Sequence, residues 1–92
     1  MLPLYLLASA QTLMGTVSQN IVGQRVKQAR LNFKPRLTQA GLSKKLAKLG
    51  VNIDRAGIAK IEVGIRGVLD FEVVAMAKAL GTSTAMLLGT KE

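Results

Sequence analysis

The chain has 92 residues, no cysteine, no histidine and a formal net charge of +8. That length makes one small domain with a modest core. The missing Cys and His exclude a disulfide framework, a thiolate metal site and the commonest general base. The acids Asp54, Glu62, Asp70, Glu72 and Glu92 are too few to assemble a carboxylate site readily. A non-enzyme with no metal and no cofactor is the expectation.

The charge is concentrated. Eleven of the thirteen basic residues fall between Arg25 and Arg66, against only Asp54 and Glu62 in that span. Clustering of this kind points to a polyanionic partner, nucleic acid first and an anionic membrane surface second. The bland alternative is a well-solvated surface on a small domain.

Residues 1–20 carry no charged side chain and are rich in leucine: Leu2, Leu4, Leu6, Leu7 and Leu13. The stretch is too short and too interrupted for a spanning helix, which needs about 20 apolar residues. It lacks the basic start of a secretory signal. Two readings stay open: an extra helix over about 4–14 that packs on the domain or on a second copy, or a tail with no role in the fold.

A first helix is expected from about Ile21 to Leu31, capped by Ser18 or Asn20, with Val22, Val26 and Ala29 as its inward stripe. Pro35 stops any helical path before it and leaves a basic loop, 32–36. Thr38 is the next N-cap. Leu42, Leu46 and Leu49 recur at i, i+4 and i+7, so a second helix over Gln39–Leu49 is expected, ended by Gly50.

Asp54 can cap a third helix running to Glu62, with Ile58 and Ile61 inward and Ile53 closing the same side. Its other face holds Arg55, Ala56, Gly57 and Lys60: two cations, two very small residues and no bulk. A face of that kind can approach a base-pair edge closely in the major groove. Gly64 ends this helix. Asp70 is the expected cap of a fourth helix, Phe71–Leu80, with Val73, Met76, Ala77 and Leu80 inward. Ser83 caps a short fifth helix through Leu88, with Met86 and Leu87 as core or interface residues.

In order, these pieces resemble the lambda-repressor/Cro-type helix-turn-helix family, also called XRE-like. Gly23-Gln24-Arg25-Val26-Lys27-Gln28-Ala29-Arg30 is similar to its first helix. Leu37-Thr38-Gln39 with Leu42-Ser43 is similar to its second, with Ser43 where alanine is usual. Ile58, Ile61-Glu62 and Gly64 resemble the end of its recognition helix, and Asp70–Gly81 its fourth helix. The likeness covers about residues 20–89. It departs from the commonest pattern in a Leu46-to-Ile61 spacing five residues longer, a 30–38 loop about two residues longer, and Val63 where a polar residue is common.

The resemblance implies an all-α fold, a compact bundle of about five helices containing a helix-turn-helix, with an extra N-terminal helix if 4–14 packs. Residues 1–19 would be the extension, 20–89 the DNA-binding domain and 90–92 a tail. It implies base contacts from Arg55, Ala56, Gly57 and Lys60. Backbone contacts would come from Arg36, Thr38, Gln39, Asn52 and Arg66, and Arg30 and Glu62 would form a buried structural ion pair. Gln39 would also brace the recognition helix.

The implied function is a transcriptional regulator in the cytoplasm, associated with the nucleoid. It would act as a repressor, binding a two-fold site on double-stranded DNA as a homodimer, with no membrane involvement. The alternative is a protein-interaction module of the same fold, such as the antitoxin of a toxin–antitoxin pair, engaging a partner through residues 1–17.

Overall fold

The computed structural model describes residues 21–90. They form five α-helices and no strand: α1 Gly23–Asn32, α2 Gln39–Lys48, α3 Arg55–Glu62, α4 Asp70–Leu80 and α5 Thr84–Leu88. The all-α bundle with a helix-turn-helix is therefore the observed fold. The expected 4–14 helix, the 1–17 partner segment and the caps Ser18 and Asn20 lie outside the described residues.

The core is built from the periodic apolar positions. Val26, Leu42, Leu46, Ile58, Ile61 and Met76 are fully buried and join Val22, Val73, Leu80 and Leu87 in one cluster. α4 is the central helix, packed against α1, α2 and α5, while α3 lies across α1 and α2.

α1 begins at Gly23, two residues later than expected, with Val22 at the N-cap and no side-chain cap. Its inward stripe runs Val22, Val26 and then Arg30, at i, i+4 and i+8, so the helix period itself carries an arginine into the core. α2 opens as expected, with the Thr38 hydroxyl accepting from the Gly41 N–H at 2.9 Å.

Leu49 departs from expectation: it is 45% exposed. The helix has already ended at Lys48, and Gly50 adopts a left-handed φ of 85°, which only glycine takes without strain. The Gly50 N–H then reaches the Ala47 carbonyl and the Val51 N–H the Leu46 carbonyl. This glycine-terminated end turns the chain inward, and Val51 rather than Leu49 joins the core.

The extra length between Leu46 and Ile61 sits in the turn, residues 49–54, rather than in α2. The Ser43 hydroxyl donates to the Ile53 carbonyl at 2.6 Å and ties that long turn to α2. Asp54 then caps α3, its carboxylate accepting from the Gly57 N–H at 2.8 Å. α3 ends as α2 does: Gly64 is left-handed and the Ile65 N–H reaches the Lys60 carbonyl.

Asp70 is not the cap of α4. It is the first helical residue, and Leu69 occupies the N-cap. Leucine offers no acceptor, so the capping is done from the other side: the Glu72 carboxylate reaches back to the Leu69 N–H at 2.9 Å. Arg66 grips the same carboxylate through two nitrogens, at 3.2 and 3.3 Å. Ser83 caps α5 as expected. Leu87 is buried, and Met86 faces outward.

Burial by itself would push the Glu72 carboxyl up. The Arg66 hydrogen bonds, the Leu69 N–H and the Arg66 charge outweigh it and hold the group below the usual value of 4.5. A lowered carboxylate contributes stability above its unfolded value and loses it as pH falls through the folded one. Glu72→Gln is therefore expected to be less stable than the parent at neutral pH, with the gap closing below pH 4.5. Urea unfolding at neutral pH and at about pH 3 measures this, and an equal gap at both would contradict it.

Candidate nucleic-acid interface

Arg30 enters the core opposite Glu62, and the two meet side-on. Nε donates to Oε2 at 2.7 Å and Nη2 to Oε1 at 2.9 Å, with only 9% and 3% of the two side chains exposed. Nη1 donates to the Leu37 carbonyl at 3.0 Å, while the Arg30 carbonyl accepts from the Leu37 N–H at 3.2 Å. One residue thus clasps the α1–α2 loop from both sides. The hydrogen bonds to Glu62 and its charge raise the Arg30 pKa against the opposing effect of burial.

The pair continues outward. The Gln39 amide donates from Nε2 to Glu62 Oε1 at 3.0 Å, and its Oε1 accepts from Arg55 Nη1 at 3.0 Å. A single chain of hydrogen bonds runs from the buried Arg30, through Glu62 at the end of α3 and Gln39 at the start of α2, to the exposed Arg55 at the start of α3. The bracing expected of Gln39 is present, and its object is a guanidinium aimed at solvent.

α3 divides its faces as its sequence requires. Ile58, Ile61 and Glu62 point inward, and Arg55, Ala56 and Lys60 are exposed. Gly57 is only partly exposed. A Cβ there would lie 2.9 Å from Ile53 Cγ2 and 3.1 Å from the capping Asp54 Oδ1. The glycine is needed by the turn packed beneath the helix as well as by any close approach from outside.

The other predicted contact residues gather on either side of the α3 N-terminus. Arg36, Thr38 and Gln39 line one cleft with Arg30 and Arg55. Asn52, Gly57 and Arg66 line a second with Ser43, Ala47 and Asp54. Ala56 and Lys60 line neither and are exposed on α3. Arg66 is tied to Glu72 and to the Gly67 carbonyl, so a phosphate there would share its guanidinium with the fold.

Sequence reasoning missed the Arg66–Glu72 pair. Its signal was a glutamate three residues after Leu69, the spacing of a carboxylate reaching back to an N-cap. It also missed the Ser43–Ile53 bond, signalled by Ser43 standing where alanine is usual. Lys45 lies over the Phe33 ring with Nζ 4.9 Å from the centroid. No buried side-chain polar atom among the described residues lacks a partner.

Two helices joined by a turn, with the second showing a low, basic outer face, define a helix-turn-helix nucleic-acid-binding domain. The sequence model of the helix-turn-helix family matches residues 36–87, more than half of the chain, and the chain belongs to that family in its XRE/Cro type. No curated protein and no solved structure matches it. No helix among the described residues is long and apolar enough to cross a membrane.

Removing one side of the Arg30–Glu62 pair strands a buried charge. Glu62→Ala is expected to cost about 3–5 kcal/mol, whereas Arg30→Met combined with Glu62→Leu recovers most of that loss. Chemical denaturation of the two variants checks this; a double variant no better than the single would contradict it. Gly57→Ala is expected to lower the melting temperature even though alanine is favoured in a helix by about 1 kcal/mol, because Ile53 is buried and cannot yield. A thermal melt that rose instead would show that the turn relaxes.

Proposed function

We propose that this chain is a sequence-specific double-stranded DNA-binding transcriptional regulator, acting as a repressor that occupies a two-fold operator as a dimer. The observation that carries the proposal is the chain of hydrogen bonds ending on Arg55. It fixes a guanidinium at the exposed start of α3, the end of the helix that faces base edges in this docking geometry. A pre-set arginine can pair bidentately with guanine, which discriminates by about 1–3 kcal/mol.

In this reading α3 lies in the major groove. Arg55 and Lys60 read base edges, and Ala56 and Gly57 let the helix sit close. Arg36, Thr38, Gln39, Asn52 and Arg66 flank that helix and meet phosphates on the two strands. The flanking contacts supply most of the affinity and make it strongly salt-dependent. Arg55 and Lys60 are few readers for one site, so specificity comes from doubling them on half-sites about 34 Å apart.

Fluorescence anisotropy with the promoter duplex of its own gene and a scrambled duplex, over a salt series, tests the reading. The parent should prefer the promoter. Arg55→Ala should lose that preference, and Gln39→Ala should lose part of it with the fold intact. Arg36→Ala should weaken both duplexes alike and reduce the salt slope by about 0.9. Equal binding of both duplexes by the parent and by Arg55→Ala would overturn base reading by α3.

A further inference from the structure

The outer face of α4 is used by nothing described so far. Its inner side is buried along most of its length, and its exposed residues are Asp70, Phe71, Val74 and Lys78, with Phe71 56% and Val74 47% exposed. These four positions fall within one narrow stripe of a helix with 3.6 residues per turn. Asp70 and Lys78 stand four residues, about 6 Å, on either side of Val74. They are too far apart to pair with each other, and neither has an ion-pair partner among the described residues.

That order is self-complementary. Two copies of α4 laid antiparallel across a two-fold axis at Val74 bring residue 74+k of one against 74−k of the other. Asp70 then meets Lys78 of the second copy, Lys78 meets its Asp70, and Val74 meets Val74. Phe71 covers the axis from each side. The same patch closing on itself is what an isologous interface requires. Apolar residues at its centre with charges at its rim follow the usual anatomy of such contacts.

Electrostatics favour this face over those of α1, α2 and α3. Two copies that each carry +8 repel, yet no basic residue lies between Arg66 and Lys78. α4 therefore offers an apolar surface that two polycations can bring together at least cost. Leu69, also exposed, extends it at the N-terminal end.

We propose that the Asp70–Phe71–Val74–Lys78 stripe is the surface on which two copies of this chain pair, antiparallel and about a two-fold axis at Val74. This pairing rests on the dimeric reading above for its role, and on the α4 pattern for its geometry.

Sedimentation equilibrium of the full chain tests it, with circular dichroism confirming that each variant keeps its helices. The parent should be a concentration-dependent dimer. Val74→Arg should be monomeric, because it sets two cations on the axis. Asp70→Lys and Lys78→Asp should each weaken association on the order of tenfold, and the double variant should restore it, since each exchanged pair again has opposite signs.

A parent that is monomeric up to millimolar concentration, or a dimer that Val74→Arg leaves intact, overturns the pairing. A double exchange with no rescue overturns its antiparallel register. Anisotropy on the same samples separates the two readings. A dimer that follows the α4 variants but binds no DNA upholds the pairing and defeats the regulator. Selective DNA binding by a dimer that Val74→Arg leaves intact does the reverse.

Discussion

The buried pair of Arg30 and Glu62 adds a polar tie to the apolar packing of α1, α2 and α3. It joins the end of α1 to the end of α3, fixes the α1–α2 loop through the Leu37 carbonyl, and gives Gln39 a fixed acceptor. Taking both charges out of water is costly. The cost is offset only because nearly every polar atom of the two groups is occupied by a well-placed partner. Fully satisfied, the cluster tolerates one arrangement of the three helices, so it sets orientation more than it adds stability.

That orientation reaches the outer surface through Gln39. A free arginine side chain at the start of a helix samples many rotamers, and ordering it on binding carries an entropic cost. Here the Arg55 guanidinium is held by an amide that is itself held by a buried carboxylate. Core and reading surface are therefore parts of one hydrogen-bonded unit. A change at Glu62 acts on both, whereas a change at Lys60 acts on the surface alone.

The distribution of charge gives the domain two sides. The α2–α3 side gathers Arg36, Arg55 and Lys60, and suits a polyanion. The outer side of α4 is apolar with one charge at each end, and suits a copy of itself. Asn52 belongs to the long turn that links α2 to α3, and Ser43 faces that turn from α2. The turn's surplus residues are absorbed without disturbing α3, because Ser43 anchors the Ile53 carbonyl and Val51 and Ile53 are buried in the core.

Legible in the order of residues were the features decided within one turn of helix. The caps Thr38, Asp54 and Ser83, the glycine stops at Gly50 and Gly64, and the inward positions Val26, Leu42, Leu46, Ile58 and Ile61 were all legible, because each depends on neighbours three or four residues away. The Arg30–Glu62 pair was legible only through the family resemblance, since no periodicity links residues 32 apart. The tertiary structure alone decided what depended on the rest of the chain. It put Leu49 outside, because the preceding helix stopped one residue sooner. It moved the α4 cap from Asp70 to Leu69, because Arg66 steadied Glu72 in the place where its carboxylate could reach back. It joined Gln39 to Arg55 across 16 residues, a distance over which a hydrogen bond is set by packing and not by spacing.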